Sequence, residues 1–216
     1  MSRDDDIVKI INTLSGKCSP DRVFSDWVTC MALAIQNRCI LLENDLFRKR
    51  ENEYISIMNR YDHSEQILMC EMYAMLTEIL ENKIYDVLGA VYMKLGSGSS
   101  ITGQFFTPYH LSKLTAAVSI PDGISEKNKM IINEPSVGGG GMIIAIAEIL
   151  KEKGINYQRC MKVVAQDLDY RCIYMAYVQF SLLGIDATLI QGDTLGMKRP
   201  GKEQIFRTPM AMGVFL

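Results

Sequence analysis

The chain is 216 residues long with 48% hydrophobic and 22% charged residues, the composition of an ordinary globular protein able to bury a real core in one large domain or two small ones. A formal net charge of −2 excludes a global basic field, so any nucleic-acid contact must come from a local patch or a partner subunit. The six cysteines form no C-x-x-C pair and only His63 and His110 accompany them, which argues against a zinc site and for free thiols in a reducing compartment. The start, Met1-Ser2-Arg3-Asp4-Asp5-Asp6, lacks the basic and apolar regions of a signal peptide, and no apolar run nears the roughly 18 residues of a membrane span. The expectation is a cytoplasmic protein with no metal and no membrane partner.

Residues 1 to 95 read as helices. Ile7, Ile10, Ile11 and Leu14 share one helical face that stops at Gly16. Ser19 or Asp21 caps the next helix, in which Phe24, Trp27, Val28, Met31 and Ile35 recur at three and four. Arg48-Lys49-Arg50 is a tight basic cluster, read as a solvated helix face over a phosphate contact. From Ser64 an amphipathic segment places Ile67, Leu68, Met72, Met75, Leu76 and Ile79 on its apolar side, and Ile84 to Leu95 continues as helix.

Composition changes at Gly96-Ser97-Gly98-Ser99-Ser100. This divides the chain into a helical N-terminal region (1–95), a linker (96–103) and an α/β domain (104–216). Phe105-Phe106-Thr107-Pro108 then leads into a helix over Tyr109–Ser119, with Thr107 as N-cap and Pro108 in the first turn. The two phenylalanines read equally as a hydrophobic staple or as an apolar lid over a ligand.

The organising stretch is 130–142. An apolar strand, Met130-Ile131-Ile132-Asn133, ends in Glu134-Pro135, and Gly138-Gly139-Gly140-Gly141 feeds an apolar helix from Met142 to Leu150. Strand, glycine loop and helix in this order build a nucleotide site in an α/β sheet, because glycines let a ligand approach the backbone. The dinucleotide pattern G-x-G-x-x-G is not met, since the position three after Gly140 is Ile143. Glu134 would repel a phosphate and suits a ligand carrying positive charge; S-adenosylmethionine, with its sulfonium and amino group, fits. A plain surface loop is the competing reading.

Lys162 to Gln166 reads as a second buried strand ending in Asp167, followed by a helix from Asp169 to Leu183 closed by Gly184. Ala187 to Gln191 is a third strand, ending in Gly192-Asp193-Thr194-Leu195. The alternation predicts a parallel doubly wound sheet with its ligand beyond the carboxyl ends of the strands. Glu134, Asp167 and Asp193 each sit at such an end, in register, which points to one site over three separate caps or turns.

In order along the chain, these motifs resemble those of N6-adenine DNA methyltransferases, in particular the modification subunit of type I restriction systems. Asp86-Val87-Leu88-Gly89 with Tyr92 is similar to the end of that family's helical domain. Gly103-Gln104-Phe105-Phe106-Thr107-Pro108 is similar to its G-x-F-[FY]-T-P segment, which packs over the methionyl end of S-adenosylmethionine. Glu134-Pro135-Ser136-Val137-Gly138-Gly139-Gly140-Gly141-Met142 resembles its D-P-[AT]-C-G-[ST]-G-G-[FM] loop, departing at Glu134, Val137 and Gly139. Asp167 occupies the place of the acid that binds the ribose hydroxyls, and Gly192-Asp193-Thr194-Leu195 matches G-D-[TS]-L, whose acid lies near adenine. The resemblance thus implies a partial Rossmann-like S-adenosylmethionine-dependent domain with a mainly parallel sheet after a helical region. Its cofactor contacts would be Phe105, Phe106, Thr107, Pro108, Glu134, Pro135, Gly138, Gly140, Asp167 and Asp193. DNA is the implied substrate, with a specificity or other protein subunit as the implied partner.

The family's [DNS]-P-P-[YFW] motif, which orients the target amino group and stacks on the flipped base, has no counterpart. The six prolines include no adjacent pair, and Thr208-Pro209-Met210, the nearest approach, lacks both the amide acceptor and the ring. No catalytic residue is therefore assigned. Three strands are expected, or four if Met212–Leu216 pairs beside the first; otherwise a partner is expected to cover that apolar edge. Three functions remain: adenine methylation with the amino acceptor supplied elsewhere, an inactive truncated S-adenosylmethionine-binding or interaction module, and an unrelated nucleotide-binding domain. Lys198, Arg199, Lys202 and Arg207 read equally as phosphate contacts and as a solvated basic tail.

Overall fold

The computed structural model describes residues 3–40, 42–96, 106–121 and 123–214. It divides into two compact units, one of Met1–Lys83 with Val87–Phe105 and one of Ile84–Asp86 with Phe106–Leu216.

The first unit is helical: α1 (Arg3–Leu14), α2 (Pro20–Arg38), α3 (Asp45–Met58), α4 (His63–Asn82) and α5 (Val87–Lys94). Ser19 caps α2 by accepting from the Arg22 N–H, with Pro20 at the first helical position, where a missing N–H costs nothing. Its expected stripe of Phe24, Trp27, Val28, Met31 and Ile35 is buried. Asp62 opens α4 through a reciprocal capping box with Glu65, slightly ahead of the expected start at Ser64. The buried face of α4 is Met69, Met72, Leu76, Ile79 and Leu80, whereas Ile67 is 47% exposed. Apolar side chains surround α4 so widely that periodicity allows more than one stripe. Packing selects the one whose Met69 carbonyl accepts from the buried Trp27 indole at 3.1 Å. The expected helix from Ile84 begins only at Val87, because Lys83 turns extended (φ −148°, ψ 131°).

The second unit holds α6 (Tyr109–Ser119), β1 (Met130–Glu134), α7 (Gly141–Glu152), α8 (Tyr157–Cys160), β2 (Met161–Asp167), α9 (Tyr170–Leu182), β3 (Asp186–Gln191) and β4 (Ile205–Arg207). The four strands lie in the order β1-β2-β3-β4, the first three parallel and β4 antiparallel to β3. This is an α/β fold with a mainly parallel sheet. Register sets Ile132, Val163 and Ala187 in one row and Ala165, Leu189 and Phe206 in another. All but the half-buried Ile132 are buried, and α9 packs on β2 and β3. Ile131 and Lys162, one residue out of phase, are exposed on the opposite face. The doubly wound arrangement is absent from the described sheet. Strand order advances in a single direction, so right-handed crossovers place α7 and α9 on the same face.

The tail also departs from expectation. Pro209 starts a 3-10 turn over Met210–Met212, closed by a Val214 N–H donating to the Pro209 carbonyl, so 212–214 adds no strand beside β1; Phe215 and Leu216 lie outside the described residues. The fourth strand is β4 instead, on the far side of β3, with Phe206 edge-on to Tyr170 and Tyr174. Among the described residues, nothing pairs with the outer edge of β1.

Candidate functional site

The carboxyl ends of β1, β2 and β3 are stitched together by backbone and side-chain hydrogen bonds. After Glu134 the chain climbs alongside β2: the Val137 N–H donates to the Gln166 carbonyl at 2.9 Å, and the Gly138 N–H donates to Asp167 Oδ2 at 2.9 Å. The Asp169 N–H donates to Asp167 Oδ1 at 3.0 Å, and the Gly192 N–H donates to the Asp167 carbonyl at 2.8 Å. Thr194 Oγ1 donates to the Pro135 carbonyl at 2.7 Å, joining the loop after β3 to the loop after β1. Asp167 is thus the hub. Each carboxylate oxygen holds one N–H and retains lone-pair capacity for a further donor.

The three acids share one end of the sheet without sharing a level. Glu134 pairs with Ala165 and Asp167 with Gln191, so each successive acid sits two residues further along, about 6–7 Å per strand. The expected common register is therefore a staircase. Its physical reason is the loop itself, which must rise past Gln166 to reach Asp167. Glu134 Oε1 accepts from the Ser136 N–H at 3.2 Å, and Asp193 Oδ1 accepts from the Leu195 N–H at 2.9 Å. These contacts close their own turns and hold the carboxylates at the strand ends; Glu134 and Asp167 are half-buried and Asp193 exposed.

Gly140 caps α7 in a left-handed conformation (φ 97°, ψ 4°). A Cβ there would lie 2.7 Å from Phe180 Cε1 and 3.4 Å from the Ala176 Cα, so α9 packs directly on the loop backbone. Beneath it, Gln179 Nε2 donates to the Gly139 carbonyl and to Asp86 Oδ1, both at 2.9 Å. The Phe106 ring lies against Gly138, with Cδ1 3.1 Å from where a Cβ would stand. The segment before α6 is thereby brought to the glycine loop. Thr107 and Pro108 are exposed, and α6 is capped at Pro108 with no side-chain bond, so Thr107 does not serve as the expected N-cap. Phe105 lies outside the described residues. At the other end of α6–α7, the Tyr109 hydroxyl donates to Glu148 at 2.8 Å, and burial followed by this acid pushes its pKa upward.

Thr208-Pro209-Met210 is remote from this site. The Thr208 hydroxyl donates to the Ile185 carbonyl at 2.7 Å and accepts from the Ala187 N–H at 3.0 Å, at the start of β3. Six residues separate Ala187 from Asp193, about 20 Å of strand. Thr208 is fully buried and closes the sheet at the wrong end for chemistry on a ligand beside Asp167.

Asp86, Gln179 and Thr194 are structural members of the site that residue patterns did not single out. Gln179 carried one signal, an amide in the middle of an otherwise apolar helix. Asp86 and Thr194 sat inside recognised motifs without an assigned contact.

A glycine loop and three strand-end acids on a parallel sheet define an α/β domain of the nucleotide-cofactor type. The chain belongs to the N-6 DNA methylase family, whose model matches residues 78–212. Two solved structures are similar. One, assigned to the class I S-adenosylmethionine-dependent methyltransferases from Listeria monocytogenes, is 15% identical with a TM-score of 0.46 over 78% of this chain and 54% of that one. The other is the type I restriction-modification methyltransferase subunit from Streptococcus thermophilus, 18% identical with a TM-score of 0.47 over 92% of this chain and 45% of that one. The chain spans about half the length of these two proteins. No curated protein matches it.

The cofactor of this family is S-adenosylmethionine. The residues fit it. Asp167 keeps acceptor capacity suited to hydroxyl donors, Glu134 and Asp193 make the rim acidic, and the glycine loop, backed by Phe106 at Gly138 and by Phe180 at Gly140, carries no side chain of its own to keep a ligand from its backbone.

Proposed function

We propose that this chain is the S-adenosylmethionine-binding module of a methyltransferase acting on the amino group of adenine in DNA. The observation that carries the reading is the stitching of the glycine loop to Asp167 through the Gly138 N–H, which makes one site of two strand ends. Asp167 accepts from the ribose hydroxyls, Asp193 lies towards the adenine, and Glu134 with Pro135 faces the positively charged methionyl end. The Phe106 ring packs against Gly138 and limits water there; Phe105, Thr107 and Pro108 belong to the same proposed set of cofactor contacts. The cofactor supplies a methyl carbon made electrophilic by the adjacent sulfonium, and the protein's task is positioning. DNA is the substrate in this reading, a specificity or other subunit is the partner, and the cytoplasm is the setting. Among the described residues no helix is long and apolar enough to cross a membrane.

The amino-acceptor group is not among these residues. Thr208 is committed to β3 at the opposite end of the sheet, and this favours a second reading in which the chain alone binds S-adenosylmethionine without transferring its methyl group. Calorimetric titration with S-adenosylmethionine, wild type beside Asp167→Ala, tests the shared premise. Micromolar binding lost in the variant is the expected result, and absence of binding by folded wild type would remove both readings. A methylation assay on adenine-containing duplex DNA, with and without added subunits, then separates them.

A further inference from the structure

Resting on the reading above, we infer that Asp86 is a positioning residue that sets the charge class of the ligand, favouring a cationic one over a phosphate. Asp86 is 6% exposed, and its Oδ2 lies 2.9 Å from where a Cβ on Gly141 would stand, directly against the first residue of α7. Its Oδ1 accepts from Gln179, whose same amide nitrogen donates to the Gly139 carbonyl. Gln179 is fully buried, so one amide group ties the acid, the glycine loop and α9 into a single unit.

The N-terminus of a helix carries a partial positive charge and unsatisfied N–H groups, which is why such termini hold phosphates in many nucleotide sites. Here the chain places its own carboxylate at that terminus. A bound phosphate would meet Asp86 behind the loop as well as Glu134 at the end of β1. In a buried setting the repulsion is weakly screened, whereas a sulfonium and an ammonium are attracted. Asp86 therefore acts in two ways: through Gln179 it holds the loop in place, and through its charge it selects the ligand. A Cβ at 141 would stand 2.9 Å from Asp86 Oδ2 and force the carboxylate to shift.

The two roles separate experimentally. Asp86→Asn preserves shape and an acceptor for Gln179 while removing the charge. Gln179→Met keeps the charge and removes the tether. Titrations with S-adenosylmethionine, with its uncharged thioether product S-adenosylhomocysteine, and with ATP provide the readout, with thermal unfolding recorded alongside. Expected for Asp86→Asn is a 5- to 10-fold loss of S-adenosylmethionine affinity and a smaller loss for the thioether, so that the preference between them falls at least 3-fold. Expected for Gln179→Met is an equal loss for both, with faster hydrogen exchange at 138–141. Equal losses in Asp86→Asn that track a lowered Tm would mean a structural role only and would overturn the inference, as would unchanged binding. A wild type that binds ATP as well as S-adenosylmethionine overturns it too. Failure of folded wild type to bind S-adenosylmethionine at all would instead remove the function proposed above.

Discussion

At Gly140 the demands of backbone and packing coincide. A φ of 97° is costly for any residue with a Cβ, and the Phe180 ring fills the place where that Cβ would go. Gly140→Ala is expected to destabilise the second unit by about 2–4 kcal/mol, read as a lowered urea midpoint. The loss would exceed that of an ordinary surface change, which stays within about 0.5 kcal/mol. Asp167 shows the opposite economy. The hydrogen bonds its carboxylate accepts from the Gly138 and Asp169 N–H groups preorganise the loop, so Asp167→Ala removes a ligand group and a loop anchor together. Residue patterns made Asp167 and the glycines legible because acids at strand ends and glycine runs are local signals. They did not make Gln179 or Asp86 legible as partners, because the two are far apart in sequence and meet only when α9 packs on the loop.

Among elements, β1 departs most from what its composition leads one to expect. A parallel strand normally has neighbours on both sides and both faces covered. Here its outer edge is unpaired by any described residue, and Ile131 is 75% exposed on the uncovered face. Such an edge is a template for association, and a charged side chain on it is the usual remedy. Ile131→Lys should leave stability within about 0.5 kcal/mol of wild type while reducing concentration-dependent light scattering. An unchanged scattering profile would show that the edge does not drive association. The misplaced tail strand has the same origin as this exposure. The apolar run Met212–Leu216 suggested a strand, but Pro209 starts a tight turn that takes in 212–214, and Ile205–Arg207 pairs with β3 instead. Hydropathy locates apolar segments, whereas turn geometry and cross-strand partners decide which of them pair.

For the whole molecule, the buried thiols set a pH limit. Burial, aided by Asp26 and Glu53, pushes the Cys30 thiol from 9.0 up to about 12, and burial near Asp167 and Asp169 pushes Cys172 upward as well. A folded pKa raised above the unfolded one means that the unfolded chain releases its proton first. The stability is fully present below about pH 9 and is lost as pH climbs towards the folded value. By pH 10 about 1 kcal/mol of it is lost, visible as a Tm that falls as pH rises above 9. Cys30→Ala should flatten that slope for the first unit; a slope identical to wild type would assign it to other groups.

By itself the sequence determined the α/β class, the helical region, the glycine loop with its strand-end acids, and the family. Each of these follows from short-range patterns: periodicity, capping residues and motif order. Tertiary structure decided the staircase of the acids, the single-sided winding of the sheet, the burial of Thr208 at the far end, and the Asp86–Gln179 brace under the loop. Those features depend on which strand lies beside which and on which helix face meets the backbone. Contacts between residues dozens of positions apart carry no periodic trace in the chain.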